Sequence, residues 1–312
     1  MTISQHLEKF AGKSVANYKS LRSISSPASK AVRVGCDDRW SETVGENFAQ
    51  QMARLLADPQ AAKLSALVIG CWESVSDGED PSEAIEQLVG ASEVLKNLRA
   101  LFFGDIIYQE YEISWIQQGD VSPLFAAFPN LDEFGVRGGG GLRLGHVSHK
   151  KLKKLVIETG GMPGRIVEEL IHCKFPALTH LDLWLGSSNY GGSVDMDTMA
   201  PLLEGKLFPK LTYLGLRNRD ELSRIAVPIA ESPIVRKVHT LDLSMGTLND
   251  EEAEPLLEVK QLTKLKSLDL SQNYLSQKMI AKFKKAKIKV KGADQRKPYE
   301  DEDDYRFCVV GE

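Results

Sequence analysis

The sequence predicts an α/β leucine-rich-repeat solenoid, a horseshoe with a parallel β-sheet on its concave side and helices on its convex side. Three observations point there. Four segments, "LTHLDLWLGSSNY" from Leu178, "LTYLGLRNRDEL" from Leu211, "VHTLDLSMGTL" from Val238 and "LKSLDLSQNYL" from Leu265, share the frame L-x-x-L-x-L, with V for the first L in one, and the last places Asn273 and Leu275 at consensus positions. Four weaker copies, "LSALVIGCW" from Leu64, "LRALFFGD" from Leu98, "LDEFGVRGG" from Leu131 and "LKKLVIETGG" from Leu152, keep the same phase. Between the copies lie stretches with apolar residues at helical spacing.

The second leucine positions are Leu67, Leu101, Phe134, Leu155, Leu181, Leu214, Leu241 and Leu268, at intervals of 34, 33, 21, 26, 33, 27 and 27 residues. Such spacing suits a strand, a turn and a helix per unit, some with a longer loop. One unit cannot bury its apolar side alone, so neighbours must stack.

The elements follow in order. Residues 1–60 are expected to form a cap, because an open sheet edge invites unwanted pairing. Within it "KAVRVGCDD" (30–38) supplies a strand, and "SETVGENFAQQMARLLADP" a helix opening at Ser41. The solenoid covers 61–287 in about eight repeats. Its helices include "DPSEAIEQLVGASEVLK" with Pro81 in the first turn, "PGRIVEELIHC", "NDEEAEPLLEV" with Asn249 and Glu252 spaced as a capping box, and "SQKMIAKFKKA". The aromatic, acidic stretch 104–125 lengthens its repeat, and Trp115 and Ile116 are expected to fill the convex core there in place of a regular helix. Residues 288–312 form the second cap: a last strand around Ile288 to Val290, the acidic linker "YEDEDD", and a terminal strand over Tyr305 to Val310 that docks on the body.

The run Gly138 to Gly141 invites a phosphate-loop reading. Neither a P-loop nor a dinucleotide fingerprint fits, since no Gly-Lys-Ser/Thr follows and the interval from Phe134 to Leu155 leaves no room for the helix both motifs need. A tight turn of the shortest repeat is the expectation, with anion binding by these amides and the neighbouring lysines as the alternative.

Strand side chains alternate between faces, which nominates a binding surface. The non-leucine positions form three ladders on the concave face, and their middle rungs gather Glu133, Arg137, Lys154, Glu158, His180, Asp182, Trp184, Tyr213 and Arg217. Aromatic and arginine side chains on an exposed sheet are typical of interaction hot spots. These nine residues are the candidate partner-binding site. The second possibility is an enzyme or small-ligand receptor using Glu158, His180 and Asp182, although no nucleophile stands beside His180 and an open sheet excludes little water.

Composition narrows the function classes. The chain has 312 residues, 39 Lys plus Arg against 43 Asp plus Glu and a net charge of −4, which gives no global attraction to nucleic acid or membrane. The lysine-rich stretch near residue 285 lacks interleaved aromatics, so a nucleic-acid partner is not expected. Four cysteines, Cys36, Cys71, Cys173 and Cys308, are dispersed and form no metal or redox motif, so no cofactor or metal is expected. The N-terminus lacks the apolar core of a signal peptide, and a cytoplasmic location follows.

The blocks "GDIIYQEYEISWIQQGDVSPLFAAFPNL", "VRGGGGL", "LVIETGGMP", "LTHLDLWLGSSNYGG" and "YRFCVVGE" resemble a bacterial family of stand-alone cytoplasmic leucine-rich-repeat proteins of ribonuclease-inhibitor-like type. The resemblance covers nearly the whole chain and is most specific around Trp115 and Trp184. It implies the fold, with no assigned reaction. Some relatives are encoded beside radical-SAM and ATP-grasp type enzymes, which implies a scaffold or substrate-recruiting role. The chain departs from the fuller family pattern around residues 20 to 30, where "SLRSISSPASK" is serine-rich and a flexible loop in the N-terminal cap is the expectation.

Overall fold

A computed structural model describes residues 2–18, 23–36, 46–72, 78, 80–298 and 305–312. The chain is an α/β leucine-rich-repeat solenoid whose residues cluster into two compact units, Thr2–Glu158 with His172–Ala177, and Thr159–Ile171 with Leu178–Gly311.

The first unit carries strands β1 (Lys9–Phe10), β2 (Lys13–Asn17), β3 (Lys30–Val34), β4 (Ala66–Ile69), β5 (Ala100–Phe103), β6 (Glu133–Arg137) and β7 (Lys154–Glu158), with helices α1 (Phe48–Ala57), α2 (Ser82–Gly90) and α3 (Ser122–Ala127). From β2 onward every pairing is parallel and in sequence order, and Leu67, Leu101, Phe134 and Leu155 lie side by side. All four are fully buried. Each such side chain contributes about 1.5–3 kcal/mol when removed from water, so stacking supplies what a lone repeat lacks.

The second unit carries α4 (Gly164–Leu170), β8 (His180–Gly186), α5 (Met196–Leu203), β9 (Tyr213–Arg219), α6 (Ser223–Glu231), β10 (Thr240–Asp242), α7 (Asp250–Ala253), β11 (Ser267–Asp269), α8 (Gln277–Lys285) and β12 (Val290–Lys291). Leu181, Leu214, Leu241 and Leu268 are consecutive partners, and β12 closes the series against β11. The consensus Asn273 is fully buried: its Nδ2 donates to the carbonyls of Leu243 and Leu270, and its Oδ1 accepts from the amide of Leu248. One side chain thus satisfies backbone groups of two turns, which is why the frame places an amide there.

Several expectations are corrected. A β-hairpin, β1–β2, precedes the anticipated first strand, turning at Ala11 and Gly12, both with positive φ. Ser41 lies outside the described residues; helix α1 begins after Asn47, whose side chain and that of Gln50 form the capping box. Helix α2 ends at Gly90, short of the stretch expected. In α7 the Asn249–Glu252 box forms as expected, but Pro255 lacks the N–H a longer helix needs, and the chain continues as a 3-10 turn over Glu254–Glu258.

Residues 305–310 form no strand. They dock on the second unit, where Asn218 accepts from the Val310 amide at 2.8 Å and donates to its carbonyl at 2.6 Å. Val309 donates to the Met245 carbonyl, and Arg306 pairs with Glu252. A single side-chain amide occupies both backbone groups that a strand ladder would use.

Gly104 has φ +90°, and a β-carbon there would lie 2.6 Å from both the Arg137 carbonyl oxygen and the Gln118 side chain. Gly104→Ala should lower the stability by at least about 1–3 kcal/mol from the backbone conformation alone. Urea unfolding of the variant beside the parent checks this.

Candidate functional site

In-register parallel strands bring matching positions to within about 5 Å of one another, so the non-leucine face becomes rows of touching side chains. In the second unit, His180 stands opposite Tyr213, and Trp184 opposite Arg217. The His180 and Tyr213 rings stack, centroids 3.8 Å apart and 5° from parallel. Tyr213 donates its hydroxyl to Asp242 at 2.6 Å.

Between Asp182 and Asp242 the ladder carries Gly215, which has no side chain to fill the slot. Arg217 reaches this region. Its Nη1 donates to Asp182 at 3.1 Å and its Nε to Ser244 at 2.9 Å, with Asp242 at 3.5 Å. Its guanidinium also lies 5.6 Å from the centre of the Trp184 ring, within cation–π range. Burial opposes the charge on Arg217, yet the carboxylates of Asp182 and Asp242 outweigh it and hold its pKa above the ordinary value. Burial and the same two carboxylates push the Tyr213 hydroxyl upward, so it stays a protonated donor.

His180, Trp184, Tyr213 and Arg217 are half-buried, and Asp182 is buried at 6% exposure. Asp182 therefore supports Arg217 and offers a partner little surface, a correction to its place among contact residues. Arg217 likewise has a structural role, since Asp182, Asp242 and Ser244 all engage its guanidinium. The Trp184 Nε1 and the Arg219 Nε and Nη1 are sealed from solvent and have no hydrogen-bond partner among the described residues. A buried donor without an acceptor costs about 1–3 kcal/mol.

The first unit treats the same face differently. Ala66, Val68, Ala100 and Phe102, expected to face outward, form a buried cluster with Phe10 and Ala31, against which Leu7, Ala11 and Val15 also pack. Phe10 meets Phe102 edge-on, ring centres 5.9 Å apart. The N-terminal segment covers these rungs because their small and apolar side chains leave a surface that water disfavours.

Beside this cluster lies a network of ion pairs. Asp105, fully buried, accepts from Arg33 Nε at 2.9 Å and Arg137 Nη1 at 3.3 Å, and the amide of Leu7 donates to it at 3.2 Å. Arg137 also donates to Glu158 at 2.8 Å, Arg33 stands 3.6 Å from Glu110, and His6 lies 3.4 Å from both Asp105 and Glu110. Arg137 and Glu158 are 3% and 8% exposed. Both are thereby removed from the contact surface, since their polar atoms are spent on each other and on Asp105. Glu133 and Lys154 pair at 2.7 Å and stay half-exposed.

Of the enzyme alternative, Glu158 and Asp182 are each engaged by an arginine and His180 is stacked on Tyr213. No group of three or more metal-ligating side chains occurs among the described residues, and no helix among them is long and apolar enough to cross a membrane.

The glycine run is a packed turn. Gly138 donates to the Glu158 carbonyl and Gly140 to that of Ile116, so two of the four amides are committed. A β-carbon on Gly138 would lie 2.6 Å from the Ile116 side chain. Ile116 is buried as expected, but Trp115 is 60% exposed. Its neighbours explain the correction: Ile113 and Ile116 turn inward, which sends Trp115 outward, with its amide bonded to the Glu112 carbonyl in a tight turn.

Among solved structures, a crystal structure of a protein from Bacteroides fragilis is 32% identical to this chain, with a TM-score of 0.78, covering 89% of this chain and 76% of that one. The chain belongs to that protein's family. An internalin from Listeria monocytogenes is 16% identical, with a TM-score of 0.41, covering 86% of this chain and 67% of that one. No family model and no curated protein matches the chain.

Sequence reasoning missed Arg33, His6 and Asp105 as one cluster. Arg33 could have been placed by extending the ladder one strand, since it pairs in register with Val68. His6 reaches the cluster from a segment that no periodicity describes.

Removing Asp105 should destabilise the chain strongly, because Arg33 and Arg137 lose the buried carboxylate they share. Asp105→Asn is expected to cost about 3–5 kcal/mol in denaturant unfolding. The pH dependence should be two-sided. Burial opposes the charge of His6, but Asp105 and Glu110 raise its pKa from 6.5 to about 9, so its contribution is complete below pH 6.5, declines above it and is gone beyond about 9. Burial of Asp105 is outweighed by His6, Arg137 and Arg33, which lower its pKa below 3.8, so its contribution holds above that pH and is lost as acid protonates it. Thermal melts from pH 6 to 10 should show a decline in the parent that His6→Gln flattens.

Proposed function

We propose that the protein is a non-enzymatic binding scaffold of the cytoplasm that docks a protein or peptide partner on the non-leucine face of its second unit. The contact residues are His180, Trp184, Tyr213 and Arg217; in the first unit, taken by itself, Glu133 and Lys154 are candidate contacts. One observation carries this reading: the aromatic and arginine side chains are held in place before any partner arrives. The His180–Tyr213 stack, the Tyr213–Asp242 hydrogen bond and the Arg217–Asp182 pair fix their geometry. Side chains already ordered lose little entropy on binding, which is what makes an exposed aromatic or arginine a strong anchor.

A second docking region has its own support. Trp115 at 60% and Tyr108 at 45% are among the few large apolar side chains exposed among the described residues, and both lie on the 104–125 segment. Long segments of repeat proteins commonly carry recognition.

A displayed-peptide library selected against the full chain separates the two regions. Peptides enriched on the parent should bind Trp184→Ala at least about tenfold more weakly, the loss of a hot-spot side chain, while the thermal melt stays close to that of the parent. Unchanged binding by Trp184→Ala together with loss in Trp115→Ala would transfer the docking site to the 104–125 segment.

A further inference from the structure

The cysteines are far apart in the sequence, but the parallel register brings two of them together in the first unit. Strands β3 and β4 pair Val34 with Ile69, and two residues beyond each of these the Cys36 amide donates to the Cys71 carbonyl at 2.9 Å. The Cys36 sulfur lies 3.2 Å from that same carbonyl oxygen. Gly35 permits the close approach: a β-carbon there would lie 3.0 Å from both the Cys71 amide nitrogen and the Gly70 α-carbon. Neighbouring parallel strands run about 5 Å apart, inside the window of about 4.4–6.8 Å between α-carbons that a disulfide spans. Both residues are thiols in this structure.

The two thiols differ in access. Cys36 is half-buried, whereas Cys71 is 2% exposed, so a reagent from solvent meets Cys36 first. Burial, and next the charge of Glu110, push the Cys71 thiol up, and the Glu110 carboxylate accepts its hydrogen bond. Cys71 is thereby kept protonated, beside a base that can take its proton. This division suits a pair in which one sulfur is attacked from outside and the other resolves the product. Cys173 and Cys308 are both buried, and their thiols donate to the carbonyls of Gly145 and Val310.

We propose that Cys36 and Cys71 are a reversible dithiol–disulfide pair, oxidised by a low-molecular-weight disulfide such as oxidised glutathione, which ties strand β3 of the cap to strand β4 of the first repeat. In the first step Cys36 loses its proton to water and its thiolate attacks one glutathione sulfur. The glutathione S–S bond breaks, a Cys36–glutathione bond forms, and the departing glutathione thiolate takes a proton from water. In the second step Cys71 gives its proton to Glu110 and attacks the Cys36 sulfur, so the Cys36–Cys71 bond forms and a second glutathione thiol leaves. Two electrons and two hydrogens pass from the pair to the oxidant. Excess thiol runs the same exchange backwards through Cys36, the accessible end of the bond.

The test incubates the folded full chain with oxidised glutathione, quenches in acid, alkylates the remaining thiols under denaturing conditions and digests with trypsin for mass spectrometry. Cleavage after Arg33, Arg39, Lys63 and Lys96 puts Cys36 and Cys71 on separate peptides, 34–39 and 64–96. The parent is expected to lose both alkylated peptides together and to gain the linked pair, lighter than the two free peptides by the thiol hydrogens, and dithiothreitol should reverse the change. Cys71→Ala should stop at the glutathione adduct of Cys36. Cys36→Ala should leave Cys71 a thiol, reacting at least about tenfold more slowly than Cys36 does in Cys71→Ala, because burial suppresses the thiolate. Thermal melts of both variants establish that they are folded, and the parent decides the matter without them. A glutathione adduct that persists on Cys36 of the parent while Cys71 is alkylated would overturn the pairing. So would a bond from either residue to Cys173 or Cys308, or no reaction of the folded parent at all.

Discussion

The strict parallel register of the leucine ladder is the constraint on which everything else rests. Leu67 beside Leu101 and Phe134, and Leu181 beside Leu214, Leu241 and Leu268, place each apolar residue against its counterpart one repeat away. A slip of one residue in any strand would turn that strand's leucines to the other face and expose them. Because the register cannot slip, the opposite face inherits the same order. His180 falls on Tyr213, and Trp184 falls beside Arg217, with no dedicated interaction needed to bring them together.

That inherited face is used in two ways. In the first unit it is closed, by small residues at Ala66 and Ala100, by Phe10 packed on Phe102, and by three cations, Arg33, Arg137 and His6, set among the carboxylates of Asp105, Glu110 and Glu158. Buried ion pairs add little net stability against an apolar alternative, yet removing one partner is expensive, so such a network fixes a unique arrangement more than it strengthens it. In the second unit the face stays half-open. Its charges are arranged to hold aromatic and guanidinium groups still, at the expense of Trp184 and Arg219 donors left without acceptors.

Much of this was legible from the sequence. The eight markers, the strand at residues 30–34, the capping box at Asn249 and the last strand near Val290 all follow from period and capping chemistry, which act over a few residues. The composition of the rungs on the non-leucine face was legible too, because alternation along a strand is local. What resisted reading was which rungs are covered. Nothing in the spacing around Arg137 distinguishes it from Arg217, yet one is buried among Asp105, Ile106 and Glu158 and the other is half-exposed. Trp115 was misplaced for a similar reason: with Ile113 and Ile116 both apolar, only the turn they adopt decides which of the three faces out.

The sequence by itself determined the repeat, the phase of its strands and the identities of the side chains that share a face, since these depend on periodicities of two and on residues close along the chain. The tertiary structure decided which part of that face is filled by the N-terminal segment, where residues 305–310 dock on Asn218 and Met245, and which charges find partners. Those outcomes depend on contacts between residues as far apart as His6 and Asp105, or Asn218 and Val310. Such contacts leave no period in the sequence, because each is made once and its geometry exists only after the ladder has formed.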